Sequence, residues 1–437
     1  MIKKSGLALL GILSYSILES LIFGYDYFIV FTFILFFIVS SDIIIFNKVS
    51  TKALENVRAD RDIGADFTRK YQEKEIRVKF SNPNRNMIKF HYYDTISDNF
   101  TVEGDFEGEI ALAPGEEKTV SYTLKALSIG RYEIGPLKLF SEDPMKVCIE
   151  NVEIEKADSV RVGPSMSDVF TQRSERLSNF LFTVGIHFSK KSGQGYDFYG
   201  IRQYVESDDF RYVAWNRYGA VNGEDLYIKQ MEEERQIDVY FVLDYSVNVN
   251  IGYGGTRMYD RVISTVINSA YSILKNRDGV GFQLISSDVD IFIPAKKSDE
   301  AIKKLEKDVA DLRPRGHFDI SHVMRTIRKN FKKNSVVFII SPFSEPEHFS
   351  ISNRKQFNTG HPTYLFIPDR YDFEPPNSTE VGRKLLMSLE IKHRRNLKPI
   401  TSFFNGVGIK AVVARDRELI ARILAEYRYA RTLNLGS

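Results

Sequence analysis

The densest set of reactive side chains lies between Gly193 and Arg235, in GQGYDFYGIRQYVESDDFRYVAWNRYGAVNGEDLYIKQMEEER. Arg202, Arg211, Arg217 and Lys229 stand there beside Asp208, Asp209, Glu232, Glu233 and Glu234, among aromatics that include Tyr204 and the sole tryptophan, Trp215. Paired carboxylates beside arginine are residue types used in hydrolytic acid–base work. No histidine, cysteine or evident nucleophile accompanies them in this stretch. Opposed charges beside apolar anchors therefore read as an ion-pair network for scaffolding or partner docking. Further on, NIGYGGTRMYD (250–260) places Gly252, Gly254 and Gly255 ahead of a helical pattern. It lacks the Gly-Lys-Ser/Thr ending that sets a lysine and a hydroxyl on a nucleotide, so it reads as a turn.

Composition narrows the chemistry further. The 437 residues hold 7 histidines and one cysteine, Cys148, which excludes a disulfide scaffold and a multi-cysteine zinc site. A net charge of +3 excludes a whole-chain nucleic-acid binder on electrostatics alone.

Several elements must position these residues. LALLGILSYSILESLIF (7–23) and YDYFIVFTFILFFIVSSDIIIF (25–46) are apolar runs separated by Gly24. About 20 helical residues cross a bilayer core, so the expectation is a two-helix transmembrane anchor over residues 1–50. Lys3 and Lys4 before the pair, and Lys48 and Lys52 after it, put both ends in the cytoplasm. The expected localisation is integral membrane, with the soluble part facing the cytoplasm. Glu19 and Asp42 fall near the interfaces and are read as solvated rather than as an ion path.

Residues 55–160 then alternate with period two in short β-branched and aromatic runs such as IRVKFSN, IKFHYYD and KTVSYTLKA. Turn signals at roughly 8–12 residue spacing predict a β-sandwich module without chemistry of its own. Over 236–431 the pattern changes again. QIDVYFVLDYS and SVVFIIS are near-continuous apolar runs, and RMYDRVISTVINSAYSILKN has helical apolar spacing between them. Such alternation predicts a doubly wound α/β sheet with its site at the strand carboxyl ends. The basic stretch RELIARILAEYRYA reads as the last helix of that domain with a solvated face.

YGIRQY, SDDFRYVAWN and LYIKQMEEER resemble the signature of the domain of unknown function 58 family. The matching positions are Gly200, Arg202, Tyr204, Asp208 or Asp209, Arg211, Trp215, Lys229, Glu232 and Glu234, with Ser207 where that family usually has glycine. The resemblance implies a signature segment (161–235) leading into a von Willebrand factor A-type, Rossmann-like domain (236–431). It also implies work with a MoxR-type AAA ATPase in assembly or maturation of a complex.

A-type domains that bind a divalent ion end their first strand in Asp-x-Ser-x-Ser, with a later Thr and a later Asp. Magnesium wants about six oxygens near 2.1 Å, and these positions provide them. Here the first element reads Asp244-Tyr245-Ser246-Val247-Asn248. Phe318 falls where the Thr would be, with Asp319 beside it, and Pro342 falls where the last Asp would be. Asp244, Ser246, Asn248 and Asp319 thus form a degenerate metal set, and no cofactor is expected unless that set holds Mg²⁺. The expected function is a membrane-anchored, cytoplasmic-facing interaction or adaptor protein without a catalytic set. The competing expectation is an envelope-facing hydrolase or polysaccharide-processing factor using the 208–234 carboxylates.

Overall fold

A computed structural model describes residues 11–12, 14–19, 22, 26–46, 51–142, 149–155, 157–165, 192–217, 226–232, 236–252, 255–332, 335–343, 357–374 and 379–434. The chain divides into two compact units, Met1–Gly163 and Pro164–Ser437.

The first unit opens with helix α1 (Asp26–Ile45), followed by the single turn α2 (Thr51–Glu55). The expected two-span anchor is not what the structure contains: among the described residues no helix is long and apolar enough to cross a membrane. The first apolar run, 7–23, lies partly outside the described residues. In the sequence of α1, Asp26 and Asp42 bracket the apolar stretch. The residues between them span only about 22 Å at 1.5 Å each, against a core of ~30 Å. The integral membrane localisation, and with it the cytoplasmic-facing topology drawn from the flanking lysines, is corrected accordingly.

Ten strands follow: β1 (Arg58–Asp62), β2 (Phe67–Arg69), β3 (Glu73–Ser81), β4 (Ile88–Ile96), β5 (Phe100–Gly104), β6 (Glu107–Leu112), β7 (Glu117–Ala126), β8 (Gly130–Glu142), β9 (Ile149–Ile154) and β10 (Asp158–Gly163). They form one sheet in the order β1-β3-β7-β5 and another in the order β2-β10-β8-β4-β6, with β9 on β8. Strict alternation is visible in β4, where Ile88, Phe90, Tyr92 and Asp94 point inward and Lys89, His91 and Tyr93 outward. Inward residues of both sheets, among them Ile76, Val78, Phe80, Phe90, Leu124 and Leu139, share one core. His91 lies on the outer face of its strand and accompanies Glu109 at 3.8 Å.

The second unit contains a hairpin of β11 (Ser192–Gln203) and β12 (Tyr227–Glu232). It also contains a six-stranded sheet in the order β15-β14-β13-β16-β17-β18. These strands are β13 (Asp238–Asp244), β14 (Gly279–Ile285), β15 (Asp290–Lys296), β16 (Ser335–Ile340), β17 (Thr363–Pro368) and β18 (Lys410–Ala414). All neighbours pair in parallel except β14 and β15. Every residue of β14, β16 and β17 is buried. That is what coverage by helices on both faces requires of a parallel sheet. The helices are α3 (Met258–Leu274), α4 (Glu300–Asp311), α5 (Ile320–Asn330), α6 (Glu380–Gly406) and α7 (Asp416–Asn434). Gly281 permits a close crossing, because a Cβ there would sit 2.5 Å from Tyr240 and 2.8 Å from the Ala295 backbone.

Candidate functional site

Central strand β13 has β14 on one side and β16 on the other, so its carboxyl end is where the strand order reverses. In open α/β sheets the crevice forms at that point. Leu243 of β13 pairs with Ile340 of β16, which makes the next residues, Asp244 and Ser341, neighbours across the strand ends. Asp244 is only 5% exposed. Ser341 Oγ donates to its Oδ2 at 2.6 Å, and the Ser246 backbone N–H donates to its Oδ1 at 2.9 Å. Burial pushes the Asp244 carboxyl above its usual range, against the opposing pull of the Ser341 and Ser246 hydrogen bonds.

The cavity beside Asp244 is lined chiefly by Leu243, Val249, Met258, Ile263, Ile340 and Pro342, and has room for about one water. Ser246 is fully buried, and its Oγ accepts from the Asn248 backbone N–H at 3.3 Å, which closes the turn Val247–Val249. Asp319 caps α5 by accepting from the Ser321 N–H at 2.8 Å and faces Arg325 at 3.8 Å. Asp244 and Ser246 are thus brought together, Asn248 joins through its backbone, and Asp319 is committed to a helix start. Phe318 packs edge-on against Phe343 with centroids 5.9 Å apart, and Phe343 against Phe404 at 5.6 Å. Among the described residues, no group of three or more His, Cys, Asp or Glu side chains is arranged to hold a metal ion.

Sequence reasoning assigned the last strand-end position to Pro342 and missed Ser341. The final serine of the apolar run SVVFIIS is the signal that marks it. Phe343 follows with φ 47°, a left-handed backbone that an aromatic residue rarely takes. Its N–H donates to Ser341 Oγ at 3.3 Å.

The second cluster belongs to the hairpin. Arg202 and Lys229 lie on its strands, with Ile201 opposite Lys229 and Arg202 opposite Ile228. Arg202 grips Asp208 with both Nη atoms, one at 2.6 Å, while Asp208 Oδ2 also accepts from the Val205 N–H at 2.9 Å. Asp209 caps a single helical turn, Phe210–Tyr212, and pairs with Arg211 at 2.6 Å. The Arg202 and Arg211 guanidiniums hold the two carboxyls below the usual range. Tyr204 leans on Phe210 with ring centroids 5.3 Å apart. Trp215 is 61% exposed, and Val205, Phe210 and Tyr212 are exposed as well. The side chains of Glu232 and Glu234 lie outside the described residues.

Residues 200–381 match the family described as Protein of unknown function DUF58. The match begins at Gly200, within β11, and runs through β17 into the start of α6. Comparison with curated proteins returned no match. Among solved structures, an aerotolerance-related membrane protein from Bacteroides fragilis shares 10% identity over 44% of this chain and 98% of its own, with a TM-score of 0.29. Native alpha-2-macroglobulin from E. coli shares 18% identity over 25% of this chain, with a TM-score of 0.20. The matched stretch spans only 7% of that macroglobulin's length. A FixG-related protein from Vibrio parahaemolyticus shares 16% over 24% of this chain and 93% of its own, with a TM-score of 0.17. Likenesses this remote carry no functional argument.

Proposed function

We propose that this chain is a non-catalytic docking protein whose α/β domain, degenerate at the metal position of A-type domains, presents surfaces to a protein partner. The observation that carries this reading is the closed strand-end cleft. Asp244 is engaged by Ser341 and Ser246, beside a mostly apolar cavity with room for about one water. Magnesium needs about six oxygens in near-octahedral array. One buried carboxylate with two serines, beside a cavity lined chiefly by apolar side chains, does not fit it.

The hairpin supports the same reading. Asp208 and Asp209 are held ionised by Arg202 and Arg211. A carboxylate so stabilised is a poor general acid, which disfavours that role for Asp208 and Asp209. Its exposed Trp215, Phe210 and Tyr212 are residue types that anchor protein interfaces. The resemblance to that family implies, as the partner class, a MoxR-type AAA ATPase acting in assembly or maturation of a complex.

Two measurements on the full-length chain test the proposal. Titration with a MoxR-type ATPase from the same source organism is expected to show saturable binding. Calorimetric titration with Mg²⁺ or Mn²⁺ is expected to show no saturable heat. Metal binding that disappears in Asp244→Ala would replace the docking reading with an ion-dependent one.

A further inference from the structure

The inner face of helix α6 changes character along its length. Toward its carboxyl end, Leu397, Ile400 and Phe404 are buried in the core beside β16 and β17. Upstream, Leu386, Glu390, His393 and Arg394 are half-buried. They fall at i, i+4, i+7 and i+8, so they continue that face toward the helix start, but three of the four are polar.

The polar part meets the turn that ends β17. Asp369 is buried, and its Oδ1 accepts from the Tyr371 N–H at 3.2 Å, capping the turn Arg370–Asp372. Its Oδ2 accepts from Arg394 Nε at 3.0 Å and Nη2 at 2.6 Å. One carboxylate therefore holds both the turn and the helix. Arg394 also pairs with Glu390 at 2.8 Å, and Arg370 with Glu374 at 3.6 Å. Beside these pairs the His393 ring stands edge-on to Tyr371, with centroids 5.5 Å apart. His393 Nε2 is buried without a hydrogen-bond partner, as is Arg370 Nε.

The charged and titratable groups facing His393 are Asp369, Arg370 and Tyr371 of the turn and Arg394 of its own helix, with Glu374 and Glu390 near Tyr371. Each of the three carboxylates already faces an arginine. A neutral imidazole leaves one weakly polar nitrogen unpaired here. An imidazolium would bury a charged N–H without an acceptor, which costs far more. Burial, then Arg370 and Arg394, accordingly push the imidazole below its ordinary value of 6.5, against the pull of Asp369.

We propose that His393 and the Asp369–Arg394 pair form an acid-sensitive latch: protonation of the imidazole releases residues 380–394 from the Asp369–Glu374 turn, while Leu397, Ile400 and Phe404 keep the rest of α6 in the core. The released arm binds more protons than the docked one between the lowered value and 6.5. Docking therefore strengthens as pH rises through that window and weakens as pH falls through it. Each unit of lowering is worth about tenfold in the docking equilibrium. The latch is independent of any docking partner.

Hydrogen exchange of the full-length chain, read by mass spectrometry at about pH 7.5 and about pH 5.5, tests it, with labelling times scaled to the intrinsic amide rate. An isolated helix of ~12–15 residues is marginal in water, so release appears as lost amide protection. In the wild type, protection within 380–394 is expected to fall severalfold at the lower pH, while 397–404 keeps its own. His393→Phe keeps a ring against Tyr371 and cannot titrate, and should hold its protection at both pH values. His393→Gln should likewise lose the pH dependence, whatever its packing does to the overall level. Arg394→Met should leave 380–394 poorly protected at both pH values. Wild-type protection that does not change with pH, or a fall that both His393 variants retain, overturns the latch. A fall shared equally by 397–404 reports unfolding of the whole helix and overturns it too.

Discussion

Each of the two units buries an aspartate near the middle of its fold, and the two are satisfied in opposite ways. In the β unit, Asp94 is 1% exposed and Arg61 reaches it with Nη2 at 2.6 Å and Nε at 3.0 Å. Tyr122 adds its hydroxyl at 2.6 Å. The same guanidinium reaches Asp158 at 2.8 Å and the Ile134 carbonyl at 3.2 Å. Arg61 is on β1 of one sheet, while Asp94 and Asp158 belong to β4 and β10 of the other, so the network links the two layers. In the α/β unit, Asp244 is held by the Ser341 hydroxyl and the Ser246 backbone N–H, with no cation beside it among the described residues. The lesson is that a buried carboxylate can be held by a cation that ties two layers together or by neutral hydrogen-bond donors alone.

That contrast can be broken by mutation. The largest expected effect is at the clamp. Arg61→Met leaves Asp94 and Asp158 without their cation, and removing one member of a buried pair typically costs about 3–5 kcal/mol. Urea unfolding of the full chain measures this. Arg61→Met combined with Asp94→Leu should recover much of the loss, and a single-variant loss below about 1 kcal/mol would show that the network does not hold the sheets together.

Smaller effects are expected at the strand ends. Ser341→Ala removes the hydroxyl donor from a buried carboxylate oxygen, and should cost about 1–3 kcal/mol in the same assay. Asp244→Asn removes the charge while keeping the shape, and should be neutral or mildly stabilising, within about 1 kcal/mol at neutral pH. The sign with pH follows from burial raising this carboxyl above its ordinary value of 3.8. Between 3.8 and the raised value the folded state binds more protons than the unfolded one, so stability falls as pH rises through that window. Asp244→Asn should abolish that component of the pH dependence. A pH–stability profile unchanged by the substitution would remove the contrast with Asp94.

Much of the architecture was legible in the residues. Period-two runs such as IKFHYYD became β4, with its apolar residues inward, and QIDVYFVLDYS became the buried centre of the parallel sheet. The Arg202–Asp208 and Arg211–Asp209 pairs were also within reach, because their members lie six and two residues apart. The anchor was misjudged because Asp42 was assigned to the interface, although the stretch between Asp26 and Asp42 is only about 22 Å of helix. Arg61 went unnoticed because its partners are 33 and 97 residues away.

The sequence by itself determined which segments became strands and helices, since that depends on side-chain period and local capping. Only the tertiary structure decided that Ser341, 97 residues from Asp244, supplies its hydrogen bond, and that the buried residues of α6 are Leu397, Ile400 and Phe404. Parallel register and helix docking arise from contacts between segments distant in the chain, which no local pattern encodes.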